Sequence, residues 1–218
     1  MNKFKLHNFS VLNKINSNNT LVKHGEINLN NMNTTDNYIQ MLIKNIKDTK
    51  TAAEADNMLL NLSKESDSFE MLDYTNFKYK DYNIKTSLAH FSEPAVFNLN
   101  ILNKLDLACT PKLISAIKKD NSLYLITKIP GTETGNLKQY YIDGKEKVSK
   151  TDKLRTFKDL QKLTKSGFID EQNLRAGNWF YTPENKIMLP NWDNLRKIAP
   201  NESPHKIQEQ YYKLIFGD

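Results

Sequence analysis

The stretch GFIDEQNLRAGNWFYTPENKIMLPNWDNL, residues 167–195, decides the fold. It opens on an apolar step, Phe168-Ile169, directly after a helix. A polar loop follows and ends in Gly177-Asn178. Trp179-Phe180-Tyr181 and Ile187-Met188-Leu189 then read as two short strands joined by the turn residues Pro183-Glu184-Asn185-Lys186. Upstream, Thr151-Asp152 caps a helix in which Leu154, Phe157, Leu160 and Leu163 recur at threes. Gly167 stands where a C-cap glycine belongs.

Helix, loop, strand, turn, strand is the order of a protein-kinase catalytic centre, and the stretch resembles one. In that template a loop Asp accepts the substrate proton, an Asn five positions later holds a metal ion, and a second Asp at the next strand end holds the metal that bridges the phosphates. On this register Asn178 falls on the metal-binding Asn, Asn173 on the proton-accepting Asp and Asn191 on the metal-binding Asp, with Glu171 at the position of the usual His. Gly177-Asn178-Trp179-Phe180-Tyr181 is similar to the Gly-Asn-x-Leu-Tyr of the small kinase-like effectors that bacteria inject into host cells, the OspG and NleH type. Leu123 to Thr132 resembles their hinge strand, which ends in Pro-Gly-Thr. The resemblance covers roughly Leu62 to Leu195.

What it implies is an α+β, protein-kinase-like bilobal fold. A five-stranded antiparallel N-lobe over 59–132 precedes a truncated helical C-lobe over 133–218. An irregular segment, 1–33, and a helical extension, 34–58, come before both. Thr34-Thr35-Asp36 caps an amphipathic helix running to about Asp48, and a second helix is expected over Thr51–Leu60. Leu59–Leu62, Phe69–Leu72 and Tyr82–Lys85 read as the first three strands. Ser63–Ser68 would then join the first two strands and cover the phosphates, yet it contains no glycine, which a close backbone approach requires. Lys85 is the candidate phosphate-pairing lysine, ahead of a helix capped by Ser92 and started by Glu93 and Pro94. That helix offers Asn98 and Asn100 where a kinase places the lysine's Glu partner. A hairpin turning at Asp120-Asn121 completes the lobe.

The implied chemistry is subtractive. An amide is no base, and Mg²⁺ prefers hard anionic oxygens. ATP and Mg²⁺ are therefore expected to bind weakly or not at all, and no other cofactor is indicated. The reading is a pseudokinase acting as a protein-binding module, secreted into a host cell, with a ubiquitin-conjugating enzyme or ubiquitin as the partner class that the resemblance implies. Two alternatives stay open. One is an active minimal kinase or other ATP-dependent transferase using Asp170 as the acid and Asp193 at the metal. The other is an unrelated interaction domain.

Composition narrows the rest. A net charge of +6 over 218 residues permits contact with anions, but no Arg-rich helix or basic-aromatic ladder marks a nucleic-acid reader. One cysteine, Cys109, excludes a disulfide framework and a cysteine-rich zinc site. His7, His24, His90 and His205 lack metal-ligand spacing. No apolar run is long enough for a transmembrane segment, and the N-terminus has no Sec-type apolar core.

Overall fold

This computed structural model describes residues 34–129, 137–139, 142–190, 192 and 194–217. The expected N-terminal segment, the Pro130-Gly131-Thr132 hinge, Asn191 and Asp193 lie outside them. The chain divides into Met1–Met41 and Leu42–Asp218. Helix α1 (Thr34–Asp48) crosses that boundary, and everything below concerns the second unit.

Helix α2 (Ala52–Glu65) starts at Thr51, whose side chain accepts from Glu54 N. It buries Ala55, Leu59 and Leu62 at i, i+4 and i+7. This corrects the expected strand at Leu59–Leu62. Leu-Leu-x-Leu satisfies both periods locally, but a capped, alanine-rich run upstream lets the helix propagate through it.

The sheet lies next: β1 (Phe69–Asp73), β2 (Asn76–Tyr79), β3 (Tyr82–Leu88), then helix α3 (Ala89–Leu105), β4 (Lys112–Lys119) and β5 (Ser122–Lys128). The five strands are antiparallel in the order β1-β2-β3-β5-β4. Strand partners place Phe77, Ile84 and Ile126 on one face, where all three are buried. On that face Tyr124 donates its hydroxyl to Ala52 O at 2.9 Å and Asp56 Oδ1 at 2.8 Å, tying α2 to the sheet. The α2 helix is thus a packed cover. The opposite face carries Leu123 and Leu125, which cluster with Ala89 and Val96 of α3. Each fully buried Ile or Leu contributes ~1.5–3 kcal/mol.

The β1–β2 turn is Tyr74-Thr75, closed by Asp73: Oδ1 accepts from Thr75 N at 2.7 Å and Oδ2 from Asn76 Nδ2 at 2.6 Å. The hairpin between the first two strands is therefore two residues long. The Ser63–Ser68 stretch expected there instead ends α2 and leads into β1, and the first two strands sit one step later in the chain than expected. Helix α3 begins at Ala89, three residues before the expected Ser92 cap, and holds Pro94 inside it.

The remaining elements are β6 (Lys138–Gln139), a 3₁₀ segment (Ile142–Lys147), α4 (Lys150–Lys165), β7 (Phe168–Asp170), β8 (Phe180–Tyr181), β9 (Ile187–Met188), β10 (Leu195–Lys197) and α5 (Pro204–Phe216). Ser149, not Thr151, caps α4 by accepting from Asp152 N. Gly167 ends the helix region at φ +83, as its position demands. β6 pairs with β8, β8 with β9, and β10 returns to pair with β7. Their core joins Leu99 and Leu102 of α3 to Leu160, Leu163, Trp179, Trp192 and Tyr211.

Candidate functional site

The loop between β7 and β8 is closed on itself. Two 3₁₀ turns, Gln172–Leu174 and Ala176–Asn178, fold it back. Asp170, fully buried at the end of β7, accepts from Gln172 N through Oδ1 at 2.9 Å. Asn178 Nδ2 donates to Gln172 O at 2.7 Å, and Trp179 Nε1 to Asn173 O at 2.7 Å. Trp179 and Asn173 are both fully buried. The indole therefore does two jobs: it fills the core and holds the backbone at the centre of the loop. Beneath the loop the Tyr211 hydroxyl approaches Asp170 O at 3.4 Å. Burial first, then the Asp170 charge, pushes that phenol above its ordinary range.

Of the residues singled out from the sequence, Asp170, Asn173 and Asn178 are brought together in this loop. Lys85 sits elsewhere, exposed on β3 and paired in register with Leu125, hence on the sheet face that α3 covers. The middle of α3 carries no glutamate to meet it. Asn98 is buried and turns to Trp192 O, donating through Nδ2 at 2.8 Å, and Asn100 is exposed. Asn191 and Asp193 lie outside the described residues, on either side of the buried Trp192.

To a metal ion the described part of the loop offers one carboxylate, Asp170, and two amides, Asn173 and Asn178. Mg²⁺ needs several hard oxygens. Asp170 Oδ1 is committed to a backbone N–H, and Asn178 has its amide nitrogen committed, leaving a neutral oxygen to offer. Among the described residues no three His, Cys, Asp or Glu side chains gather to hold a metal ion, and no helix is long and apolar enough to cross a membrane.

Sequence reading missed a charged cluster beside the loop. The β7–β10 pairing sets Arg196 against Ile169. Its guanidinium meets Glu202 through two bonds of 2.7 Å, Nη1 to Oε2 and Nη2 to Oε1, and reaches Glu171 from Nε at 3.0 Å and from Nη2. Glu202 also accepts from Ala199 N at 2.6 Å. Its carboxyl is held at about 2, chiefly by the Arg196 hydrogen bonds and then by Ala199 N, while the arginine is raised in turn. The cluster borders an open groove of about 570 Å³ that Arg175 and Lys206 also line. Residues 171, 196 and 202 carry no common motif. Only the strand pairing brings them together.

Two further buried acids of α4 hold backbone N–H groups of the α3–β4 connection and of β9. Asp159 Oδ2 accepts from Ala108 N at 2.6 Å and Cys109 N at 3.1 Å. Asp152 Oδ2 accepts from Ile187 N at 2.5 Å, and its Oδ1 pairs with Arg155 at 2.6 Å. Burial raises the Asp152 carboxyl despite those partners. Burial, then the Asp159 charge, raises the Cys109 thiol well above its usual value, so it packs as a small apolar group.

No protein-family model matches this chain, and no curated protein matches it.

Proposed function

We propose that Leu42–Asp218 is a kinase-like domain without phosphoryl transfer, serving as a protein-binding module. The observation that carries this reading is the loop between β7 and β8. Amides stand at 173 and 178, and the Asn178 amide nitrogen and the Asn173 backbone carbonyl are both engaged within the loop. Support comes from the sheet order β1-β2-β3-β5-β4 with a helix between the third and fourth strands. The Tyr74-Thr75 turn adds to it, because two residues without glycine form no loop that could wrap phosphates. Phosphoryl transfer works by positioning and by electrostatic stabilisation of the moving group, and a site lacking its acids has neither the base nor the metal.

The test is a thermal-shift titration with ATP, with and without Mg²⁺ or Mn²⁺, alongside autophosphorylation and generic-substrate transfer. No transfer and little or no shift is expected. The double variant Asn173→Asp with Asn191→Asp is expected to gain metal-dependent nucleotide binding. Robust transfer by the wild type, abolished by Asp170→Ala or Asp193→Ala, would establish the second reading, an active minimal transferase with rearranged acids. Asp170 is the weaker candidate for such an acid, being fully buried with one oxygen capping the loop.

The setting implied by the resemblance is a bacterial effector secreted into a host cell. A ubiquitin-conjugating enzyme loaded with ubiquitin is the first bait to try. Retention of that conjugate by the immobilised chain is expected, and retention of nucleic acid alone would count against it.

A further inference from the structure

The outer face of α4 carries charge of one sign. At about 100° per residue, Lys150, Leu154, Lys158, Gln161 and Lys165 fall along one stripe. Lys150, Lys158 and Lys165 are exposed, and none has an ion-pair partner among the described residues. Both acids of the helix are turned inward: Asp152 and Asp159 are buried and hold backbone N–H groups. Within this basic stripe Leu154 is 42% exposed.

An aromatic ridge shared with α5 runs beside it. Phe157 meets Tyr212 edge-on at 5.5 Å, and Tyr212 stacks on Phe216 at 4.6 Å. Tyr212 is 48% exposed. The acid on that flank of α5 is Glu209, one turn before Tyr212. Two packed helices thus each present an exposed apolar side chain, Leu154 and Tyr212, with exposed lysines on α4.

We propose that this face of α4 and α5 docks on an anionic lipid surface. The lysine stems flank Leu154 along α4 and deliver their ammonium groups to lipid phosphates and carboxylates, while Leu154 and Tyr212 enter the headgroup layer. The chemistry favours lipid over nucleic acid. The cations are lysine point charges, and the single arginine of α4, Arg155, is turned to Asp152 and Ile187 O. A phosphate backbone also gives an exposed leucine nothing to bury against, whereas the acyl boundary does.

The experiment is co-sedimentation of the full chain with vesicles of phosphatidylcholine alone or with about one third phosphatidylserine. Binding only to the anionic vesicles is expected, fading as salt is raised. Lys150→Glu with Lys158→Glu is expected to weaken it at least ~25-fold, at about fivefold for each lysine charge removed. Leu154→Ser with Tyr212→Ser is expected to weaken it severalfold at unchanged net charge. A control pair on other elements, Lys78→Glu with Lys104→Glu, is expected to cost much less than the α4 pair. Absence of binding, equal binding to both vesicles, or equal losses from the two charge pairs would overturn the proposal. So would chain that ignores vesicles but is retained by nucleic acid or an acidic protein through the same lysines.

Discussion

In the five-stranded sheet the carboxylates stand at the rim. Asp73 closes the β1–β2 turn, and Asp120 reaches from the β4–β5 turn to Ala52 N at 2.8 Å. Around α4 they lie inside: Asp152, Asp159 and Asp170 are all buried, and each accepts at least one backbone N–H. The sheet satisfies its backbone through its own ladder, so its interior is apolar. The segments at Ala108-Cys109 and Gln172 have no such ladder, Ile187 lies on β9 at the edge of its small sheet, and in each case a carboxylate supplies the acceptor. An aspartate near a candidate site is thus identified by what donates to it. Three of them here hold backbone in place.

The sharpest way to break this contrast is Asp159→Ala. It strips acceptors from Ala108 N and Cys109 N in the core, and the expected loss is about 3 kcal/mol in urea denaturation. A loss under about 1 kcal/mol would mean that the acid is dispensable. On the sheet side, Ile84→Val shaves one methylene from a fully buried side chain. It is expected to cost about 1 kcal/mol, equally at every pH between about 4 and 8.

The pH dependence separates two kinds of acid. Asp152 is raised by burial, so the folded chain holds its proton more tightly than the unfolded chain. Its contribution is most favourable below the ordinary value of 3.8 and declines as pH rises through the raised one. Asp152→Asn is therefore expected to flatten the fall in stability on that side, read from denaturation midpoints at about pH 4 and about pH 7. Glu202 is the opposite case. Its carboxyl is held at about 2 against an ordinary 4.5, so its stabilisation is present above 4.5 and is lost as pH falls toward 2. Glu202→Gln should remove that acid-side loss while changing neutral-pH stability least of all these variants, because exposed pairs are weak. Melting curves across the acid range check it.

Much of the architecture was legible in the sequence. Alternation marked Phe69–Leu72 and Tyr82–Lys85. Asp120-Asn121 marked a hairpin, and Asp120 indeed adopts φ +50 there. Threefold spacing marked α4. The failure at Leu59–Leu62 has a local cause, since three leucines in four residues fit either period and the decision rests on the cap at Thr51. In the site, Gly177-Asn178 flagged the loop, and Asp170, Asn173 and Asn178 do lie in it together. What composition could not carry was the direction of each side chain. Whether Asn173 faces solvent or the core depends on Trp179 reaching back six residues to its carbonyl. The Arg196 cluster depends on a strand pairing that spans 25 residues.

The amide of Asn98 has a mechanical consequence. Its hydrogen bond to Trp192 O ties the helix beside the sheet to the chain beyond β9, and Leu99 and Leu102 of the same helix share one core with Trp192. An enzyme that grips and releases a nucleotide every turnover works by hinging between such parts. Here any hinging motion has to break a buried bond and open a shared apolar core. The bond and the shared core therefore oppose hinging between those parts. On the proposed reading as a binding module, recognition then spends little entropy on settling the arrangement of those parts.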